Sequence, residues 1–437
     1  MGKYIKLFNT HEDYTTFSES DEYIKPNVSY CQDENDVHYN IWTLAEEYFT
    51  IVSLEDNNKI AFYHEESNPK TISVSVDDGN TWTEYTASST DNNGISGTII
   101  ATLNANEKVL IKGENQAYSN TVTYPNQLII QKEANVQGNI MSLIYGDNFK
   151  TATSLTENYT FFNFFSGNIV NAENLYLTAT TLTNYCYALM FDSCTSLITA
   201  PKKLPATTLT NACYGQMFSD CSSLVTAPKL PATTLGQQCY QSMFRNCTSL
   251  TTAPELPATT LANNCYSNMF QGCTSLTTAP QLPATTLATE CYNYMFDSCT
   301  SLTTVPSVLS ATTLTNSCYE RMFYGCTSLT TAPQLPATTL ARSCYNCMFY
   351  GCTSLTTAPE LSATTLAIFC YSNMFNGCTS LNYIKAMFTT TPSTSYTSSW
   401  VNGVASTGTF VKNSAAQWDV SGVHGVPTGW TVQTASE

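Results

Sequence analysis

The stretch CYSNMFQGCTSLTTAP, residues 265–280, most constrains what this chain can fold into, because versions of it recur from Cys186 to Leu381. A cysteine opens each version, at Cys186, Cys213, Cys239, Cys265, Cys291, Cys318, Cys344 and Cys370, a spacing of 26 residues with two steps of 27. A second cysteine follows each of these eight residues later, from Cys194 to Cys378. A period in this range, held over eight copies, predicts a solenoid in which each unit buries its apolar face only against its neighbours.

Within one copy the apolar residues fall at Leu261, Cys265, Tyr266, Met269, Phe270 and Cys273, with Ala262 inside the same arc. At 100° per residue they occupy half of a helical wheel, which predicts an amphipathic helix of about three turns. Thr259 or Thr260 supplies an N-cap oxygen after Pro257, and Gly272, matched by Gly325, Gly351 and Gly377, suits the left-handed residue that ends a helix. SLTTAP then reads as a strand of a few residues, rich in β-branched side chains and stopped by proline. Nine such helices are expected, opened by Leu155, Leu182, Leu209, Leu235, Leu261, Leu287, Leu314, Leu340 and Leu366. The fold class expected is an α/β solenoid with one short strand and one helix per repeat. Because strands stack at about 4.8 Å and helices at about 10 Å, such an array should curve, with its strands on the concave side.

The motif MFxGCTSLTTAPxLP resembles the BspA-like leucine-rich repeats of surface proteins from Bacteroidales bacteria and of the phages, including crAss-like ones, that infect them. KPNVSYCQDENDVHYN, NIMSLIYGDNF and GTFVKNSAAQWDVSGVHGVPTGWTV resemble segments that accompany those repeats. The resemblance implies adhesion without catalysis. Its fullest form is a phage virion appendage or decoration protein, fibre-like, displaying the repeats to host surface polysaccharide or glycoprotein and joined to other virion proteins by its N-terminal part. A structural spacer in capsid or tail and a bacterial surface adhesin are the alternatives, and self-association is left open. MGKYIKLFNTHEDY has no apolar core of a signal peptide, so the chain either works without export by that route or has lost its leader. This favours the phage side, hence the virion surface as location, with the bacterial cell surface as the alternative.

Four segments are expected. Residues 1–47 read as a small docking module with a capping box at Thr10 and Asp13, a hairpin around QDEN and an acidic turn of Asp33, Glu34 and Asp36. Residues 48–134 show short β-rich runs between Asn, Gly and Asp turns, which predicts an Ig-like antiparallel sandwich. The repeats occupy 135–385, the first of them atypical: Thr160 and Asn168 stand in the two cysteine positions and Phe164 in the methionine position. Residues 386–437, with Trp400, Phe410, Trp418 and Trp430, read as a β-rich cap.

Several functions are disfavoured by composition. The net charge is −16, and 22 of the 33 acidic residues precede position 151, which repels phosphate backbones and makes nucleic acid an unfitting partner. No apolar run approaches the roughly 20 residues of a membrane helix. The four histidines lie outside the array, so no zinc site or catalytic constellation is expected, and no cofactor. SVDDGNTW, from Ser75 to Trp82, matches the Asp-box hairpin of sialidases, but a single copy fixes a turn rather than a propeller blade. Seventeen of the eighteen cysteines lie in the array. They are expected to be free thiols, since two of them eight residues apart on a helix stand about 12 Å apart and equivalents on packed helices roughly 8 to 10 Å. Cys344 and Cys347 form a C-x-x-C that reads as an incidental substitution on one helix rather than a redox pair.

Binding is expected on the strand side. Thr226, Thr252, Thr278, Thr304, Thr331 and Thr357 form one row, followed by Lys229, Glu255, Gln281, Gln334 and Glu360. A row of hydroxyls suits a repetitive polysaccharide, although β propensity alone also favours threonine there. Most differences between copies fall at pairs such as Asn263-Asn264, Thr289-Glu290 and Arg342-Ser343, which argues against recognition by the helix side.

Overall fold

A computed structural model gives the architecture, and it describes residues 46–65, 69–92, 94–123 and 125–435 together with the backbone of 26–27 and 42–43. Strand β1 (Pro26–Asn27) pairs antiparallel with β2 (Trp42–Thr43). The capping box at Thr10 and Asp13 and the acidic turn of Asp33, Glu34 and Asp36 lie outside the described residues.

Seven strands then make one antiparallel sheet: β3 (Phe49–Ser53), β4 (Asn58–Tyr63), β5 (Thr71–Ser75), β6 (Thr83–Thr86), β7 (Thr98–Leu103), β8 (Lys108–Lys112) and β9 (Gln127–Asn139), in the order β6-β5-β8-β3-β9-β4-β7. This corrects the sandwich expectation. A sandwich needs two sheets, whereas here the 13-residue β9 pairs with β4 through its first half and with β3 through its second. One continuous sheet therefore curls until its outer strands meet, where Thr98 Oγ1 donates to Thr86 O over 2.7 Å, and the result is a nearly closed barrel. Alternating side chains such as Phe49, Ile51, Ile60, Phe62, Ile111 and Leu128 fill it. A one-turn helix α1 (Ser142–Tyr145) and a 3-10 turn (Gly146–Thr151) follow.

Strand β10 (Phe165–Asn171) pairs parallel with β9, as does β11 (Leu175–Tyr176), and from there the chain winds into stacked coils. Parallel bridges step from Asn171 to Thr199, Thr226, Thr252, Thr278 and Thr304, and again from Thr331 through Thr357 to Tyr383. The last three strands, β12 (Tyr383–Ala386), β13 (Thr409–Lys412) and β14 (Thr431–Thr434), continue in parallel. Trp400 is fully buried against Phe375 and Tyr371 at this end, its Nε1 donating to Gly425 O.

The repeats hold no helix, which overturns the α/β solenoid and the leucine-rich-repeat plan of a helix per coil; the only α-helix among the described residues is α1. Where a helix was expected, the N–H groups of Asn264, Tyr266, Asn268, Phe270 and Gly272 each donate forward to the next coil, at Thr289, Cys291, Asn293, Met295 and Asp297. The N–H groups between them, of Cys265, Ser267, Met269, Gln271 and Cys273, close turns onto carbonyls three residues back. Asn264, Asn268 and Gly272 take positive φ (55°, 57° and 74°), and the pattern repeats in other coils, as at Gln238, Ser242 and Asn246 and at Ser317, Arg321 and Gly325. The segment is thus a ribbon of consecutive β-turns with a left-handed residue every fourth position.

Stacking distance explains why a helix is excluded. Tyr187, Tyr214, Tyr240, Tyr266, Tyr292, Tyr319, Tyr345 and Tyr371 form a ladder with ring centroids 5.7 to 6.0 Å apart. A second ladder, Phe191 to Phe375, has steps of 5.4 to 5.8 Å. Helices need about 10 Å between axes, so a ribbon that rises with the strands fits this spacing and a helix does not. Without helices in the coils, the mismatch of about 10 Å against 4.8 Å from which curvature was expected no longer applies.

Candidate functional site

The threonines predicted as a binding row, Thr226, Thr252, Thr278, Thr304, Thr331 and Thr357, are all exposed. Bridges to neighbouring coils hold their backbones, and the buried Leu224, Leu250, Leu276, Leu302, Leu329 and Leu355 two residues earlier anchor each turn of chain. Among the described residues, none of the six hydroxyls has a hydrogen-bonding partner within the chain. The row is therefore a set of donors and acceptors offered to solvent once per coil.

The companion residues Lys229, Glu255, Gln281, Gln334 and Glu360 are exposed as well. Lys229 bridges to Lys203 and Gln334 to Val308, while the Glu360 carboxylate accepts from Lys385 Nζ at 2.9 Å. Sequence reasoning missed a second row on the same coils. Thr208, Thr234, Thr260, Thr286, Thr313 and Thr339 are exposed and bridged in pairs. Its signal was the PATTL that recurs beside SLTTAP.

Differences between copies on the turn ribbon do not mark an idle surface. Asn263 Oδ1 accepts from Thr289 N, and Asn264 Nδ2 donates to Glu290 Oε2 over 2.7 Å, so these side chains tie one coil to the next.

In seven of the eight copies the second cysteine has a specific partner. Cys221, Cys247, Cys273, Cys299, Cys326, Cys352 and Cys378 donate their thiols to the carbonyls of Phe191, Phe218, Phe244, Phe270, Phe296, Phe323 and Phe349, at 2.9 to 3.1 Å. The seventeen described cysteines are free and buried. The helix-spacing reason for free thiols fails, since coils stand at strand spacing; for the seven cysteines just named, thiol donation into the neighbouring coil takes its place. Burial pushes the Cys273 thiol up to about 12. Cys347 of the C-x-x-C is raised by burial, with Arg321 opposing, which is the wrong direction for a reactive thiolate. In the atypical first copy, Asn168 Nδ2 donates to Gln131 O.

On the barrel, the Asp-box forms the expected turn. Asp77 accepts from Ser75, from Thr81 N and from Thr81 Oγ1, and these bonds lower its carboxyl to about 2. The turn sets Trp82 with Nε1 on Gly79 O and its ring against Tyr48, centroids 5.0 Å apart. Lys112 Nζ lies 4.3 Å from the Trp82 ring and donates to Asp147 Oδ1 at 2.7 Å; Tyr48 OH donates to the same oxygen. Lys112 and Tyr48 together hold the Asp147 carboxyl below its usual range.

Among the described residues, no three His, Cys, Asp or Glu side chains gather as a metal site, and no helix is long and apolar enough to cross a membrane. No protein-family model matches the chain, and no curated protein sequence matches it either.

Proposed function

We propose that this chain is a noncatalytic adhesion protein that presents its threonine rows to a periodic surface polysaccharide or glycoprotein. The observation that carries the reading is the set of six exposed hydroxyls, repeated once per coil and unpartnered among the described residues. Their backbones are fixed by bridges, so little conformational freedom is lost when a ligand docks. The flanking segments resemble those of surface proteins from Bacteroidales bacteria and of their phages, and on that resemblance we place the protein on a virion, joined to other virion proteins by its N-terminal part, with the bacterial cell surface as the alternative.

The test replaces Thr252, Thr278, Thr304 and Thr331 together by Val. The side-chain shape and strand preference are kept while four hydroxyls are removed. Retention on host cells or extracted surface polysaccharide should fall at least about tenfold, as loss of several bonds of about 1 kcal/mol each implies. Gln237→Ala with Asn316→Ala, exposed positions on the turn ribbon, should leave retention unchanged. Full retention by the folded valine variant would refute the proposal. The unbroken parallel ladder of β12 to β14 beyond the coils also suits a stiff structural spacer. That reading takes over if the unmodified protein is retained on no host surface.

A further inference from the structure

A second site lies on the barrel, away from the coils. A cavity of about 380 Å³ opens over the row that β6, β5 and β8 make side by side. The strand register sets Glu84 opposite Ser73 and Ser73 opposite Lys112, so these three side chains share one face. Glu114, Asn115 and Asp147 complete the walls. Asn115 spends its Nδ2 on Thr71 O and the Tyr118 hydroxyl, which leaves its Oδ1 as an acceptor. Glu84 and Glu114 have no partner within the chain among the described residues.

The lining selects the chemistry of a ligand. Polar groups on all sides disfavour an apolar molecule, whose burial would leave them without partners. Glu84, Glu114 and Asp147 repel phosphate, sulfate and carboxylate groups. Lys112 and Asp147 neutralise each other in the wall beside the Trp82 face, and among the described residues no three carboxylates gather around one point as a bound metal ion would need, so Glu84 and Glu114 are left as separate acceptors. What remains is a neutral, hydroxyl-rich ligand. Its hydroxyls can donate to the two unpartnered carboxylates and accept from Ser73 and Lys112.

We propose that this cavity binds one neutral sugar unit, with Glu84 and Glu114 as the principal acceptors. The Asp-box then has a task beyond its own turn, since it seats the Trp82 ring that, with Asp147, fixes Lys112. The site does not depend on the threonine rows, so the two proposals stand or fall separately.

The full chain would be titrated with free D-glucose, D-galactose, D-mannose and N-acetyl-D-glucosamine, with methylammonium and inorganic phosphate as competing probes, followed by calorimetry and ligand-observed NMR. At least one sugar should bind, with a dissociation constant on the order of millimolar for so small a ligand. Glu84→Gln and Glu114→Gln, both at exposed positions, should each weaken it about tenfold or more, because a hydrogen bond to a charged group is replaced by one to a neutral amide. The quadruple Thr-to-Val variant should bind the free sugar as the unmodified protein does. Binding of none of the four sugars, preference for methylammonium or phosphate, or undiminished sugar binding by both glutamine variants would overturn the proposal.

Discussion

Tyr187, Tyr214, Tyr240 and Tyr266 each bury a hydroxyl for which no hydrogen-bond partner exists among the described residues. What such a residue contributes is its ring, stacked between the rings of neighbouring coils, and the hydroxyl opposes that contribution by its desolvation. Changing all four to Phe should therefore raise thermal stability, by about 1 kcal/mol or more per site. A lowered melting temperature would show that the hydroxyls have partners. The second cysteines from Cys221 to Cys378 carry the reverse lesson, because their thiols are used as donors. Burial raises their pKa, to about 12 for Cys273 and Cys378 against an ordinary value of 9.0. A group raised in the folded state contributes stability that is complete below its unfolded pKa and is lost as pH climbs towards the folded value. Under reducing conditions, the melting temperature should hold steady up to about pH 9 and then fall steeply towards pH 12. A flat alkaline profile would mean that the thiols are not shielded.

At the scale of the element, the repeat shows what a sequence can and cannot disclose. The register of the copies, the buried Leu, Cys, Tyr, Met and Phe positions and the stacking of Thr226 on Thr252 were all readable from the 26-residue period, because burial and spacing impose it directly. The conformation between them was not. Cys265-Tyr266, Met269-Phe270 and Cys273 are buried at steps of four. Over eight residues a period of 4 drifts only about 80° from a helix at 100° per residue, and both place these side chains on one side. The discriminating signal was Asn264, Asn268 and Gly272, three residues tolerant of positive φ at the same step of four. Gly272 was rightly read as left-handed, but it closes a turn ribbon rather than a helix. The barrel was hidden for a different reason: alternation marks a half-buried strand without saying whether its sheet folds over or closes, and only the double pairing of β9 decides that. Of the candidate sites, the threonine row could be named from the repeat, whereas the cavity beside Lys112 could not, because β8, β5, β6 and the turn after α1 converge there only in three dimensions.

For the molecule as a whole, one rise governs both sides of every coil. Strand bridges on one side and aromatic ladders on the other advance together, and each coil covers the N–H groups of the one before it. Stability is then a sum of nearly equal interfaces, and the left-handed residues are what let the ribbon keep strand spacing. Glycine substitution at those positions separates a turn ribbon from a helix most directly. Gln216, Gln238 and Ser317 have φ of 56°, 56° and 51°, and their side chains make no hydrogen bond within the chain among the described residues. In a helix, each glycine would cost roughly 0.5 kcal/mol or more relative to the Gln or Ser it replaces. In the ribbon, each relieves a left-handed side-chain penalty of roughly 1 to 2 kcal/mol, offset by up to about 1 kcal/mol of extra freedom in the unfolded chain. The measurement is the chemical unfolding free energy of the triple variant Gln216→Gly, Gln238→Gly, Ser317→Gly against the unmodified protein. A turn ribbon predicts stability equal or higher, while a loss of about 1.5 kcal/mol or more would contradict it and restore helices to the coils.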